Sequence, residues 1–222
     1  AMGDGSHAQL TRAAPVPGLS GGTAMSAGDG HCLAMQTDGA ASGSLWAWGR
    51  NDLGQLGDGS TMNKLTPVRV AEQVQDAQAG VYHTLLQKAD GSLWGAGLND
   101  TGQLGDGTVD SPRTSFVPAL VGIADVRELA PGGVHSLALT AEGSVWATGN
   151  NNSGQLGNLS TVDHSSPVEV PLVRDVVDLA AAHFPPSGWV GTSAHSVALT
   201  ADGRVWTWGS NYYGQLGTGG DV

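Results

Sequence analysis

The sequence contains one segment four times, and this repetition limits the chain to folds that are built from equivalent units. Each copy carries a tryptophan after a turn, and these tryptophans lie 48, 52 and 60 positions apart. The four residues are Trp46, Trp94, Trp146 and Trp206. A period of about 50 residues is typical of the blades of β-propellers. No stretch shows the helical period over any length, so a helical solenoid is not indicated.

A histidine precedes each tryptophan and marks the first strand of a predicted β-hairpin. These residues are His31, His83, His135 and His195. Between the histidine and the tryptophan, each copy has an acidic residue followed by glycine, at 38–39, 90–91, 142–143 and 202–203. Such dipeptides supply the positive φ angles of a two-residue hairpin turn. We therefore expect a hairpin with a two-residue turn in each copy.

Two further strands are predicted after the loop that contains the sequence GQLG. In the first copy they cover 67–70 and 74–79, and in the third copy 167–170 and 176–181. Each repeat then has four short strands, which is the content of one propeller blade. Bulky and small side chains alternate in residues 135–140, so both faces of this strand can be buried. The predicted fold class is all-β, a β-propeller of four-stranded blades with four repeats per chain.

The two ends of the sequence supply complementary parts of one repeat. The last copy stops at GQLGTGGDV, before its proline-bearing strand, whereas the N-terminal region LTRAAPVPGLSGGTAMSAGDGH offers such a strand. We expect the N-terminal strand to pair with the C-terminal strands and close the last blade, because this removes an exposed sheet edge. Residues 1–7, AMGDGSH, are interpreted as a cloning scar, and residues 8–222 as a single β-propeller domain of four repeats.

Charge and composition exclude several classes of partner. The 222 residues carry a formal net charge of −11, and an acidic surface repels the phosphate backbone of nucleic acid. No apolar run approaches the roughly 20 residues that span a bilayer, so a membrane is not expected as a partner. The single Cys32 cannot form an intrachain disulfide. The chain is expected to be soluble, either cytoplasmic or secreted after removal of a signal peptide, and its glycine-, alanine- and tryptophan-rich repeats have a bacterial style.

The combined pattern of each copy is specific. It has the form GxxHSLALTxxGxVWxxGxNxxGQLGxG, with the glutamine of GQLG at Gln55, Gln103, Gln155 and Gln215. This pattern resembles the regulator of chromosome condensation repeat family over nearly the whole chain. The resemblance implies a β-propeller that serves mainly as a platform for other proteins. Four repeats leave three alternatives open: the chain closes as four blades, two chains form an eight-bladed homodimer, or the chain is part of a longer protein.

The recurring polar residues are assigned structural roles. A glycine-rich loop that cradles phosphate needs a following helix, and no helix is predicted here. We expect the glycines to take positive φ, the glutamine amide to hold the loop and the leucine to fill the core. For the histidines, a hydrogen bond to a neighbouring blade is favoured over a metal site. Calcium binding by Asp58 and Asp106 is not favoured, because Asn158 and Thr218 occupy the equivalent positions.

The largest interruption of the repeat lies at 181–195 in the fourth copy, and it supplies the candidate partner-binding residues. These are His183, Phe184, Pro185, Pro186 and Trp189. Exposed aromatic residues that are stiffened by prolines suit a contact with another protein. The alternative is that Phe184 and Trp189 cap the end of the propeller core, and the sequence favours neither interpretation.

The sequence therefore predicts a non-enzymatic scaffold for protein–protein interaction, with another protein as its partner and with no cofactor or metal. No Ser-His-Asp or Cys-His arrangement can be assembled from one repeat, so catalysis is not indicated. Two alternative functions stay open. One is guanine-nucleotide exchange on a small GTPase, and the other is carbohydrate binding through Trp189, Trp206 and Trp208.

Overall fold

The computed structural model describes residues 2–37, 42–182 and 194–219, and these residues form fourteen β-strands. The three ranges contain no helix, and thus no helix that could cross a membrane. The strands are β1 (Gly22–Ala27), β2 (His31–Gln36), β3 (Gly43–Gly49), β4 (Lys64–Ala79), β5 (His83–Lys88), β6 (Leu93–Gly97), β7 (Arg113–Pro118), β8 (Val126–Pro131), β9 (His135–Thr140), β10 (Val145–Gly149), β11 (His164–Glu169), β12 (Val176–Ala181), β13 (His195–Thr200) and β14 (Val205–Gly209). All strand pairs are antiparallel. The all-β class predicted from the sequence is confirmed.

The chain divides into two compact units, which are described separately. One unit comprises Ala1–Leu98 and Ser111–Pro118, and the second comprises Asn99–Asp110 and Ala119–Val222. The first unit contains the strands of the first two repeats. The second unit contains the strands of the third and fourth repeats, together with the GQLG loop of the second repeat. The interpretation of residues 8–222 as a single domain stays a prediction.

The first unit contains one seven-stranded sheet, in which β1 to β7 follow in chain order. Its centre is the 16-residue strand β4, whose first half pairs with β3 and whose second half pairs with β5. The prediction of separate strands at 67–70 and 74–79 is wrong, since both belong to β4. Residues 71–73 lie between them, and Gln73 has a positive φ of 58°, so the chain bends within β4 where its pairing changes from β3 to β5. Strands β1 to β4 thus form one four-stranded blade and strands β4 to β7 form the next, and the two blades share β4.

The second unit contains a four-stranded sheet in the order β11-β10-β9-β8 and a three-stranded sheet in the order β12-β13-β14. The four-stranded sheet is the blade predicted from the third repeat. In the fourth repeat, no described strand pairs with β14 on the side away from β13. The N-terminal strand β1 pairs with β2, and residues 8–21 form no strand. Closure of the last blade by the N-terminal strand is therefore not confirmed.

Tight turns join the first two conserved strands of the repeats. The predicted glycines take positive φ, at Gly91, Gly143 and Gly203. The prediction of a two-residue turn is wrong, because each of these loops has three residues. In the third repeat, Thr140 N donates to Ser144 O and Gly143 N donates to Thr140 O, which defines a turn that ends in a left-handed glycine. The corresponding residues 38–41 of the first repeat lie outside the described residues.

Each unit has its own hydrophobic core between successive repeats. In the first unit, Leu33, Leu45 and Leu86 are buried in one cluster. In the second unit, Leu137 and Val145 lie in a cluster that also includes side chains of the fourth repeat. Every residue of β9 is buried, as expected for a strand that is covered on both faces. Burial of each such side chain stabilises the fold by about 1.5–3 kcal/mol, so contacts between repeats hold each unit together.

Candidate functional site

The GQLG loop has the same backbone hydrogen bonds in all four repeats. In the first repeat, Gly54 N donates to Asn51 O and Gly57 N donates to Gly54 O, both at 2.9 Å. The φ angles of the two glycines are 73° and 70°, a conformation that favours glycine. These amides are used inside the loop, so they are not available to a phosphate or another anion.

An asparagine at the start of each loop holds the loop together, and it is buried in the first three repeats and half-buried in the fourth. The sequence analysis did not assign it a role. Asn51 Oδ1 accepts from Leu56 N at 3.0 Å, while Asn51 Nδ2 donates to Asp58 Oδ1 and to Ser60 O, both at 3.0 Å. The equivalent asparagines make the same contact with the leucine amide at Asn99, Asn151 and Asn211. The signal was available in the sequence, because an asparagine lies four residues before each glutamine of GQLG.

The glutamine and leucine of GQLG complete the loop. Gln55 Oε1 accepts from Leu53 N at 3.0 Å, and the equivalent contact is made by Gln103, Gln155 and Gln215. The leucine side chain is fully buried in the first three repeats, at Leu56, Leu104 and Leu156. The loop residues that recur in the sequence therefore hold its conformation and anchor it to the core.

Asp58 takes part in the hydrogen-bond network of Asn51. Its Oδ1 accepts from Asn51 Nδ2 and from Ser60, and its Oδ2 lies 2.9 Å from Lys64 Nζ. Burial of the Asp58 carboxyl raises its pKa, but the hydrogen bonds from Lys64, Ser60 and Asn51 outweigh this effect and lower the pKa overall. Asn158 accepts from its asparagine in the same way, so an uncharged oxygen suffices at this position.

Buried histidines link successive repeats through a hydroxyl group and a backbone carbonyl. His31 Nε2 lies 3.0 Å from Thr84 Oγ1, and Thr84 Oγ1 donates to Gln55 O at 2.7 Å. Because the hydroxyl gives its one proton to the carbonyl, His31 Nε2 donates to the hydroxyl. In the second unit, the same chain runs from His135 through Ser196 to a glutamine carbonyl, with both distances 2.9 Å.

The histidines do not form a metal site among the residues that the structure describes. His83 is buried and His195 is half-buried. Within the described ranges, no group of three or more His, Cys, Asp or Glu side chains is arranged to hold a metal ion. The imidazoles of His31 and His135 are instead used in the links between repeats.

The repeated tryptophans differ in their surroundings. Trp46, Trp94 and Trp146 are half-buried, whereas Trp206 is 39 % exposed. The Trp94 indole donates to Ser92 Oγ at 2.9 Å, and Lys88 Nζ lies 4.3 Å from the centre of its ring. These contacts are structural, and only the tryptophan of the fourth repeat presents a substantial part of its ring to solvent.

The residues predicted to bind a partner belong to the insertion at 181–195. His183, Phe184, Pro185, Pro186 and Trp189 lie outside the described residues. Their assignment to a partner contact, and the alternative of a cap on the core, both stay predictions from the sequence.

The N-terminal residues 3–6 have the geometry of the end of a GQLG loop. Ser6 N and Ser6 Oγ donate to Asp4 Oδ1 at 2.9 Å, as Ser60 N and Ser60 Oγ donate to Asp58 Oδ1. Gly5 N donates to the backbone carbonyl of Leu65 in β4. The interpretation of residues 1–7 as a cloning scar stays a prediction, but the segment packs on β4 as a repeat loop would.

A pocket of about 680 Å³ in the first unit lies between this N-terminal segment and the loop after β3. Its charged groups bind each other, since Arg50 and Asp52 form an ion pair at 2.6 Å. The Arg50 side chain lies 5.1 Å from the centre of the Tyr82 ring, which holds it against the protein. The Arg50 guanidinium also lowers the pKa of the Asp52 carboxyl, so this carboxylate is not suited to act as an acid at neutral pH.

An apolar groove in the second unit was missed by the sequence analysis. It has a volume of about 570 Å³ and lies beside the outer edge of β14. Side chains and backbone that line it include Gly154, Gly157, Leu159, Leu172, Trp206 and Trp208. Leu159 is 77 % exposed and Leu172 is 63 % exposed, so two large apolar side chains that line this groove face solvent. No sequence signal marked this groove, because it depends on which strand is paired beside β14.

The family of the chain is shown by its repeats. The model of the regulator of chromosome condensation (RCC1) repeat matches residues 42–87, 90–139 and 142–184. A second model with the same description matches residues 126–155 and 191–215. The matched segments coincide with the repeats whose loops and hairpins are described above.

Similar proteins include the ultraviolet-B receptor UVR8 of Arabidopsis thaliana, with 31 % identity over 100 % of this chain and 49 % of the relative. The human E3 ubiquitin-protein ligase HERC2 is 30 % identical over 86 % of this chain and 3 % of the relative. The chain thus spans about half the length of the first relative and a small part of the second.

Two solved structures share the fold. The structure of Kap60 bound to yeast RCC1 (Prp20) matches with 23 % identity and a TM-score of 0.74, over 88 % of this chain and 45 % of that chain. The structure of Prp20p from Saccharomyces cerevisiae matches with 22 % identity and a TM-score of 0.76, over 92 % and 49 %. The chain belongs to the regulator of chromosome condensation (RCC1) repeat family and has the β-propeller fold class of that family.

Proposed function

We propose that the chain is a non-enzymatic module for protein–protein interaction. The observation that carries the proposal is the use of the recurring polar side chains inside the fold. The asparagine and glutamine of each loop bond to backbone groups of the same loop, and two of the histidines link repeats. Catalysis by these side chains would require that their polar groups are free to contact a substrate. In a scaffold, the same side chains need only hold the exposed loops in place.

The relatives support an interaction role. One solved relative, yeast RCC1, is bound to Kap60, and the study of Prp20p concerns its binding to Gsp1p and histones. Those partners belong to those proteins, and this chain spans less than half of each of them. The net charge of −11 disfavours a partner that presents nucleic acid. A protein partner with a neutral or basic surface fits this charge.

The insertion at 181–195 provides the test of this proposal. The double variant Phe184→Ala/Trp189→Ala is compared with the wild-type chain in affinity capture, with quantification of the captured proteins. We expect the variant to lose specific partners while its thermal unfolding midpoint is unchanged. A matched control is Tyr212→Ala/Tyr213→Ala, which removes two exposed aromatic side chains of the fourth repeat. A lower midpoint with unchanged capture would reject the insertion as a binding element.

Nucleotide exchange on a small GTPase is the second candidate function, and membership of the RCC1 repeat family is the observation that favours it. Its test is the release of a fluorescent guanine nucleotide from a panel of small GTPases. Acceleration of release would support this function. Unchanged release across the panel would reject it without affecting the interaction role.

Carbohydrate binding is the weaker alternative. Trp206 is exposed at the groove, which suits stacking on a sugar ring, but the Trp208 indole donates to Gln155 O at 2.9 Å. This contact holds the Trp208 ring in place and uses its donor. A glycan array without specific signals would exclude this function.

A further inference from the structure

Two of the buried loop asparagines begin an acceptor triplet for asparagine-linked glycosylation. The triplet is asparagine, any residue except proline, and then serine or threonine. The sequence of residues 99–101 is NDT and that of residues 151–153 is NNS. The 222 residues contain one further triplet, NLS at 158–160. Because the glycan is attached to the side-chain amide nitrogen, the fold decides which of these asparagines can carry it.

The amide nitrogens of the first two triplets are enclosed in the fold. Asn99 and Asn151 are both 0 % exposed. Asn151 Nδ2 donates to Asn158 Oδ1 at 3.0 Å and to Ser160 O at 2.9 Å, and Asn99 Nδ2 donates to Asp106 Oδ1 at 3.1 Å. A glycan would replace one amide hydrogen by a bulky polar group, and a close-packed interior has no space for it. Modification at either position therefore requires an open loop.

The third residue of each triplet is fixed as well. Thr101 N and Thr101 Oγ1 both donate to Gln103 Oε1, at 3.1 Å and 3.0 Å. Ser153 N donates to Gln155 Oε1 at 2.9 Å. The glutamine of GQLG thus holds the end of the triplet, while the asparagine is held by the loop residues that follow. An enzyme could not rearrange the triplet without breaking these bonds.

Each of these loops receives further hydrogen bonds from the repeat that follows it in the sequence. Gln155 O accepts from Ser196 Oγ and from Trp208 Nε1, both at 2.9 Å. Gln103 O accepts from Ser136 Oγ at 2.7 Å. Ser196 comes 41 residues after Gln155, which corresponds to about 2–8 s of protein synthesis. The triplets are therefore synthesised well before the residues that enclose them.

We propose that a chain entering a compartment with asparagine-linked glycosylation is modified at Asn99 and Asn151 before these loops close, and that this modification prevents folding. The native chain then belongs to compartments that lack this modification. The inference does not depend on the interaction role, but it restricts where a partner can be met. A partner of the folded module has to be present in such a compartment.

The test directs the full chain into the secretory pathway of a eukaryotic cell by an added signal peptide. Every test chain carries Asn158→Asp, which removes the third triplet and introduces the residue that the second repeat has there, Asp106. The parent chain is compared with Thr101→Leu/Ser153→Leu, which removes both remaining triplets. Leucine is chosen because Leu53 holds this position in the first repeat. Thr101→Ser/Ser153→Thr is the matched control, since it changes the same positions and keeps both triplets.

Secretion and glycan occupancy are measured for the three chains. We expect the parent and the matched control to be retained in the cell with glycans at Asn99 and Asn151, located by peptide mass spectrometry. The triplet-free variant should be secreted at least about fivefold more, because chains that fail to fold are removed by the cell. An inhibitor of glycan addition should raise secretion of the parent by a similar factor. Produced in a bacterial host without this modification, each of the three chains should show a cooperative thermal transition.

Two results would overturn the proposal. Secreted chains that carry a glycan at Asn99 or Asn151 and still unfold cooperatively would show that the fold accommodates the modification. Equal secretion of the three chains, at a high or a low level, would show that the triplets do not decide whether the chain folds. Both results leave the interaction role unaffected, because partner capture is measured with unmodified chain from the bacterial host.

Discussion

The third and fourth repeats have similar sequences but different surroundings. Val145 and Val205 hold the same position at the start of β10 and β14, yet Val145 is fully buried and Val205 is 65 % exposed. The loops that follow are alike, because Asn151 and Asn211 make the same bond to the leucine amide. The repeat sequence thus determines the local hydrogen bonds, whereas the neighbouring strand determines burial. Where the described residues include no outer strand, the repeat keeps its local hydrogen bonds while its valine is exposed.

The largest expected difference between these repeats is the response to a charge at the valine. Val145→Asp places a carboxylate in the hydrophobic cluster of the second unit and should lower the free energy of unfolding by about 4 kcal/mol or more. Val205→Asp changes an exposed side chain and should alter it by less than about 0.5 kcal/mol. Urea unfolding followed by tryptophan fluorescence measures both values. Equal losses would show that β14 is covered in solution.

Substitution of the loop asparagines Asn151 and Asn211 should give a smaller difference in the free energy of unfolding. Asn151→Ala removes the acceptor for Leu156 N and the donor to Asn158 Oδ1, Ser160 O and Val162 O. Since several buried groups lose their hydrogen-bond partners, we expect the free energy of unfolding to fall by about 3 kcal/mol. Asn211→Ala, which removes the acceptor for Leu216 N in a more exposed loop, should cost about 1 kcal/mol. A larger loss at Asn211 in the same urea assay would contradict the comparison.

The hydrogen bonds of Ser196, which link the third and fourth repeats, should contribute less to the free energy of unfolding than Asn151 does. Ser196→Ala removes the hydroxyl that accepts from His135 Nε2 and donates to Gln155 O, both inside the protein. We expect a loss of about 2 kcal/mol in the free energy of unfolding, because a buried donor and a buried acceptor lose their partner. The control Ser20→Ala changes an exposed serine and should be neutral. Equal unfolding midpoints for both variants would show that this link does not stabilise the second unit.

Local features of the repeat were predictable from the sequence because they depend on nearby residues. The hairpin glycines and the GQLG loop rest on positive φ angles and on contacts within about five residues, which recur whenever the residues recur. The length of the hairpin turn was missed, since an acidic residue before glycine is compatible with two loop lengths. The role of Asn51 was missed although an asparagine recurs four residues before each glutamine of GQLG, because the sequence does not show that its side chain folds back onto Leu56 N and Ser60 O.

Non-local features could not be derived in the same way. The continuity of β4 depends on pairing with both β3 and β5, which sequence periodicity does not report. The open edge of β14 depends on the absence of a paired strand among the described residues, while its own sequence reads like that of β10. The candidate groove is therefore a property of the assembled sheet, and a repeat pattern alone predicts a covered strand at this position.

The smallest expected effect is a pH dependence at the junction between β8 of the third repeat and β12 of the fourth. Glu128 on β8 accepts from Leu179 N of β12 at 3.2 Å. Burial raises the pKa of Glu128, and the nearby Asp178 carboxyl raises it further. A carboxyl with a raised pKa in the folded state stabilises the fold below its ordinary pKa, and this contribution is lost as the pH rises through the raised value.

Glu128→Gln removes this titration and keeps an oxygen that can accept from Leu179 N. The variant should match the wild-type protein at about pH 4 and exceed its free energy of unfolding by about 0.3 kcal/mol at about pH 7, a small value because Glu128 is partly exposed. Urea unfolding at the two pH values measures the difference, with Glu142→Gln as an exposed control. A variant that is less stable than wild type at neutral pH would mean that the ionised carboxylate strengthens the bond to Leu179 by more than its repulsion from Asp178. The junction between the complete and the open repeat would then be held by charge, and not weakened by it.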